Sequence, residues 1–199
     1  MITYSQNNEE KILQEYFKEK SNGLVVEVGA ASPEQISNSR FLIKNYNWEA
    51  LLIEPNPVFH KQLKEFYKNE ERVVCLECLV NDVPGIHKFY YLTDGYGSTM
   101  HEWFRDKVGG SFIETFIEAK TLDSIISENL KNKKIDFLSI DAEGNDPNIL
   151  KSIDFNTNDV ELICLEATST VEEYQSILGE KYKFYGSTAG NLFFNKIHE

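Results

Sequence analysis

The residues best placed to do chemistry are carboxylates that close apolar runs. In FLSIDAEGND, Asp141 ends a run that reads as a buried strand, and Glu143 follows beside Gly144. Glu166 repeats the arrangement in LICLEA, and Glu54 does so in LLIEPNP. Charge at a strand terminus is not core material, although a solvated strand end is its ordinary alternative. Open parallel sheets take their ligands in the crevice outside the carboxyl ends of the strands, and an acid there can bind an ammonium, accept the proton of a reacting hydroxyl or share a hard cation. Asp141, Glu143 and His101 are therefore the candidate general bases. Asp141 and Glu166 end neighbouring strands and are candidate ligands for a divalent metal. No third ligand is evident in the sequence, and no metal is expected.

A second constellation surrounds LVVEVGAASPEQISNS. Gly29 lets the chain turn sharply off an apolar strand, as a nucleotide-binding unit requires. Ala30, Ala31 and Pro33, however, put side chains where a dinucleotide loop needs bare backbone against two phosphates. A cofactor without phosphates fits better, and S-adenosylmethionine is the candidate. Glu54, about 25 residues beyond the glycine turn, stands where a carboxylate accepts hydrogen bonds from a ribose diol. Asn81 and Asp82 close the next run at the same edge, where a carboxylate can take the adenine amino group; they also read as turn residues before Val83-Pro84-Gly85.

These positions require a sheet to hold them. LVVEV, EALLIE, RVVCLECLV, KIDFLSI and DVELICLE read as strands, with helices between them from Pro33 to about Asn45, from Pro57 to about Lys68, over NDPNILKSI and over TVEEYQSILG. Ser32, Pro33 and Gln35 read as the N-cap, first turn and capping-box glutamine of the first of these helices. Alternation of strand and helix means right-handed βαβ units and a parallel sheet. The closing YKFYGSTAGNLFFNK reads as a hairpin with its turn at Thr188-Ala189-Gly190-Asn191, which gives an antiparallel edge. A helix over Asn8 to Lys20 precedes the first strand and covers a sheet edge. Leu92 to Ser111, with four glycines and little periodicity, reads as a mobile loop or lid.

The 199 residues suit a single domain, residues 1–199 with the N-terminal helix inside 1–22, and the 20 basic against 32 acidic residues give a formal charge of -12. Such a balance disfavours nucleic acid and anionic membrane as partners. No apolar stretch approaches the ~20 residues of a membrane span, and MITYSQNNEEK lacks the features of a secretion signal, so a cytoplasmic location is expected. Cys75 and Cys78 form a C-x-x-C within a strand, where residues three apart point to opposite faces; they read as core thiols rather than a zinc or redox pair.

The ordered set VVEVGA, ISNS, LLIEPNP, NDVPG, KTLDSII, DFLSIDAEGND and LICLEA resembles the FkbM family of S-adenosylmethionine-dependent methyltransferases, from about Leu24 to Phe194. The resemblance implies a Rossmann-like class I methyltransferase fold, a mostly parallel seven-stranded sheet with an antiparallel edge hairpin, and O-methylation of a saccharide or other small polar metabolite. It places Glu27, Gly29 and Ala30 at the methionine end of the cofactor, Glu54 at the ribose and Asp82 at the adenine. Asp141 and Glu143 fall at the reaction centre, and Ser37 and Asn38 near the cofactor. Ala31, Pro55, Asn81, Ser98 and Asp141 complete the candidate cofactor set. Tyr96, Trp103 and Phe104 in the loop have flat faces that can stack on a sugar ring or pack on the sheet. This chain has Ala31-Ser32-Pro33 where the family usually has a second glycine or an acid-glycine pair. The rival readings are an NAD(P)-dependent oxidoreductase, disfavoured by the absence of G-x-G-x-x-G, and a cofactor-binding protein without turnover.

Overall fold

The structure is a computed structural model that describes residues 3–131 and 133–198. In chain order its elements are α1 (Glu9–Phe17), β1 (Leu24–Val28), α2 (Arg40–Tyr46), β2 (Glu49–Ile53), α3 (Pro57–Phe66), β3 (Val73–Leu76), β4 (Leu79–Val80), β5 (Gly85–Tyr91) and α4 (Glu102–Val108). Then follow β6 (Ile113–Lys120), α5 (Leu122–Leu130), β7 (Ile135–Ile140), α6 (Asp146–Lys151), β8 (Val160–Glu166), α7 (Val171–Leu178), β9 (Tyr182–Ser187) and β10 (Asn191–Lys196). Seven strands form one sheet in the order β3-β2-β1-β7-β8-β10-β9. β10 runs antiparallel to β8 and β9, and the other pairings are parallel. The strand order reverses between β1 and β7, which is where an open α/β sheet opens its ligand crevice.

β1 and β7 are buried along their whole length, as central strands covered on both faces must be. Alternation sends Val26, Val28, Leu138 and Ile140 into one core with Leu122, Ile125 and Ile126 of α5, Ile149 of α6 and Tyr174 of α7. Val25 and Phe137 go to the other face, under Leu13 of α1, Phe41 and Leu42 of α2 and Leu63 of α3. The helix starts follow local chemistry. Asn56 caps α3 with Pro57 in its first turn, Thr121 caps α5, and Thr170 with Glu173 forms a capping box on α7. The terminal hairpin turns where expected, with the Thr188 N–H donating to the Asn191 carbonyl at 2.9 Å.

Three expectations are corrected. The helix from Pro33 does not form: Ser32 to Ser39 is irregular, Ile36 sits at φ +54°, and the helix begins at Arg40. The Gln35 N–H still reaches the Ser32 hydroxyl at 3.3 Å, but the Glu27 carboxylate captures the Asn38 N–H at 2.8 Å together with the Ser39 hydroxyl. A buried acid on β1 thus holds the backbone that a helix would have used. Second, RVVCLECLV is not a single buried strand. It divides into β3, an edge strand with Val74 45% exposed, and β4, which joins another sheet. Cys75 and Cys78 pack toward opposite cores and carry no disulfide. Third, β4 joins a second sheet, β4-β6-β5, whose strands β5 and β6 fall where the sequence reading places no element, and α4 lies inside the expected mobile loop.

Candidate functional site

The carboxyl ends of β1, β2 and β7 open into a cleft at the point where the strand order reverses, the place where open α/β sheets take small ligands. Gly29, Ala31, Glu54, Pro55, Asp141 and Glu143 line it from the large sheet, and Phe89, Tyr96, Ser98 and Met100 line it from the small sheet and the segment that follows. The close approach at Gly29 comes first from the protein itself. At φ +80°, a Cβ on Gly29 would stand 1.8 Å from the Asp141 carbonyl oxygen, because the end of β1 packs directly on the end of β7. Asp141 is thereby held against the glycine turn, and its N–H donates to the Val28 carbonyl at 3.0 Å.

Glu54 is buried beside this turn. Its carboxylate accepts from the Ala31 N–H at 2.8 Å and from the Asn56 N–H at 2.7 Å, so each oxygen keeps a lone pair for a ligand. Burial raises its pKa to about 7 against the pull of those two bonds. Asn56, unremarked in the sequence beyond its capping place, also donates from Nδ2 to the Leu92 carbonyl at 2.9 Å and the Ser98 hydroxyl at 3.1 Å. It ties the segment after β5 to the end of β2. Phe59 and Tyr96 stack across the same seam, their ring centroids 5.2 Å apart and nearly parallel.

At the other end of the cleft stand Asp141 and Glu143, with Glu166 beside them but not lining it, and the three each offer an oxygen within 4.8 Å of the others. Burial raises Asp141 to about 6, with the charge of Glu9 adding to it. Glu143 is raised to about 7 by burial and by Asp141. Glu166 rises to about 9 by burial and by the charges of Asp141, Glu143 and Asp146, and its Oε2 has no hydrogen-bond partner among the described residues. Lys107 of α4 pulls Glu143 and Glu166 the other way. Asp141 and Glu143 are thereby shifted toward neutral pH, where a general base is most useful, while Glu166 is held higher.

Other candidates lie elsewhere. Glu27, Ala30, Ser37, Asn38 and Asn81 are buried behind the cleft and do not line it, and Asp82 is exposed outside it. Glu27 is occupied with Ser37, Asn38 and Ser39, and burial raises it to about 7. The Asn81 side-chain oxygen accepts from Asn145 Nδ2 at 3.4 Å. His101 is the N-cap residue of α4, its ring 6.0 Å from that of Trp103 beside Gly144, and its Nε2 is buried without a partner among the described residues.

A model of the methyltransferase FkbM domain matches residues 27–185. The chain belongs to this family. An FkbM methyltransferase from Methylobacillus flagellatus KT superposes with a TM-score of 0.53 at 16% identity, over 87% of this chain and 43% of that one. The present chain therefore spans less than half the length of that relative. The precorrin-6y C5,15-methyltransferase of Geobacter metallireducens GS-15 gives 0.52 at 12% identity over 94% of this chain and 87% of that one. A SAM-dependent methyltransferase of Aquifex aeolicus gives 0.50 at 11% over 96% and 89%. No curated protein matches the sequence. At these identities the superpositions establish the fold, that of the class I methyltransferases. Within this FkbM domain, Asn56, Phe59, Asn145 and Asp146 escaped the sequence reading. Each acts through partners distant in sequence or through packing, and only the helix-capping place of Asn56 carried a local signal.

Proposed function

We propose that this FkbM-family chain is an S-adenosylmethionine-dependent O-methyltransferase whose acceptor is a hydroxyl of a saccharide or other small polar metabolite, neutral or cationic. The observation that carries the reading is a single cleft with a buried diol acceptor, Glu54, at one part and a cluster of partly protonated carboxylates at another. The residues suit the cofactor: Glu54 keeps lone pairs for a ribose, the Gly29 turn presents backbone, the aromatic and aliphatic walls accept a flat base, and Asp141 favours a cationic group. When bound, S-adenosylmethionine supplies a methyl group on an already activated sulfonium, so position and deprotonation are what the protein must add. Asp141 takes the single proton of the acceptor hydroxyl, with Glu143 beside it as the second base that can do so. The segment from Leu92 to Ser111 covers the site, with Thr99 Oγ1 donating to the Glu143 carbonyl at 3.0 Å, and so excludes water from it. Trp103, 55% exposed at the rim, offers a face for a sugar ring. Acidic strand ends and a charge of -12 disfavour phosphorylated acceptors and nucleic acid. Among the described residues no helix is long and apolar enough to cross a membrane.

Titration calorimetry with S-adenosylhomocysteine and an acceptor screen with labelled S-adenosylmethionine test the proposal. Binding of NAD(P) instead, or label passing to nucleic acid, protein or a phosphorylated acceptor, would overturn it. Glu54→Ala should weaken S-adenosylhomocysteine by ~1.5–3 kcal/mol, roughly ten- to a hundredfold, with Glu54→Gln intermediate because one acceptor oxygen remains. Unchanged affinity in the alanine variant would remove Glu54 from the site.

The carboxylate cluster has the spacing of a cation site as well as that of a proton store. Because the methyl donor needs no Lewis acid, turnover is expected to survive exhaustive dialysis against EDTA. Loss of turnover restored by Mg2+ would reassign Asp141, Glu143 and Glu166 to metal binding.

A further inference from the structure

Asp146 is fully buried at the start of α6, and the cleft does not reach it. Its Oδ2 accepts from the Ala142 N–H at 3.2 Å and its Oδ1 from the Glu166 N–H at 3.2 Å. These two amides have a particular place in the sheet. The last ladder pair of β7 and β8 is Ile140 with Leu165. Ala142 and Glu166 lie just beyond it, where parallel strands have stopped bonding each other and their ends are free to separate. Asp146 spans that opening with one carboxylate. It sits beside Asp141 and Glu166, and a carboxyl so buried and so close to like charge is retained against an electrostatic cost, its pKa pushed well above its ordinary value by burial and then by Asp141.

We propose that Asp146 is a positioning residue: it fixes the ends of β7 and β8 relative to each other, and through them the mutual placement of Asp141, Glu143 and Glu166. This rests on the methyltransferase reading for its consequence in turnover, but not for its structural content. An alanine removes both bonds and leaves two part-buried N–H groups without their carboxylate partner. An asparagine keeps one acceptor oxygen and turns an amide donor toward the other N–H, so it should fall between alanine and wild type. Gly29 follows β1 and Glu54 follows β2, on the side of β7 opposite the β7–β8 opening, so cofactor affinity should change little.

The test compares wild type, Asp146→Asn and Asp146→Ala in three measurements. Amide hydrogen exchange at Ala142 and Glu166 should quicken at least ~10-fold in the alanine variant and less in the asparagine variant, with the ladder amides of β1 unaffected. Affinity for S-adenosylhomocysteine, by calorimetry, should stay within about threefold of wild type. With the acceptor found by the labelled screen, kcat should fall at least ~10-fold in the alanine variant and KM should change little. Should Asp146→Ala fail to fold, Asp146→Asn decides by the same three readings. A folded variant with wild-type exchange at Ala142 and Glu166, or with quickened exchange but wild-type kcat, overturns the inference. If wild type neither binds S-adenosylhomocysteine nor transfers methyl groups, the functional reading fails, and the exchange rates alone still decide whether Asp146 holds the strand ends.

Discussion

Asp141→Asn is expected to lower turnover at least ~100-fold while leaving the protein folded. Removing this charge should not unfold the chain, because the carboxylate is crowded by like charge and accepts no hydrogen bond from the described residues to lose. Its burial and the nearby charge of Glu9 already hold its pKa up, to about 6. What asparagine cannot do is take a proton. The same argument fixes the pH dependence. A base must be ionised to act, and here Asp141 and Glu143 ionise at about 6 and about 7. Turnover in wild type should therefore climb as pH rises through 6 to 7 and level off above, whereas unperturbed carboxylates would place that limb near pH 4. In Asp141→Asn, Glu143 loses a neighbouring negative charge that raises its pKa, so the residual activity should show its acid limb at lower pH. A pH–rate profile in both proteins checks this. Near-normal turnover in the variant, or an acid limb that does not move, would take proton transfer away from Asp141.

The parts legible in the sequence are those where one local pattern decides. Apolar runs ending in an acid marked the ends of β2, β7 and β8, and Glu54 and Asp141 both line the cleft. The Thr188–Asn191 turn likewise acts within a few residues of itself. The failures have a common cause, since each was settled by a partner far along the chain. Ser32-Pro33-Glu34-Gln35 has the residues of a helix start, yet Glu27 on β1 takes the Asn38 N–H and keeps the loop irregular. Asp82 follows β4, which pairs with β6 in the small sheet; Leu79 and Val80 line the cleft, and Asp82 is exposed just beyond them. The signal for the small sheet was present in the alternating IHKFYY and IETFIEAK runs of β5 and β6. The latch made by Asn56 and the brace made by Asp146 have no such signal, because their partners are tertiary.

Gly29→Ala should be the most damaging small substitution in the chain. Two penalties coincide there. The first is conformational: at φ +80° a residue with a Cβ is strained by about 1 kcal/mol or more. The second is steric, and it is the larger. The new methyl carbon would stand 1.8 Å from the Asp141 carbonyl oxygen and 2.9 Å from its carbon, so the ends of β1 and β7 must part by at least about 1 Å. That motion strains the bonds from the Gly29 N–H to Ile53 and from the Asp141 N–H to Val28, and it carries Asp141 and Glu54 apart. The expected result is a loss of roughly 2–4 kcal/mol of stability in urea denaturation, together with a turnover loss of ~100-fold from misplaced catalytic groups. Gly109→Ala separates the two penalties. Gly109 has a similar φ of +70°, but nothing lies within 4 Å of its Cβ position. It should lose only the conformational part and keep its cofactor affinity. Equal destabilisation in the two variants would mean that backbone strain alone fixes the glycine. Wild-type stability and turnover in Gly29→Ala would mean that the contact between the turn and Asp141 does not hold the site together.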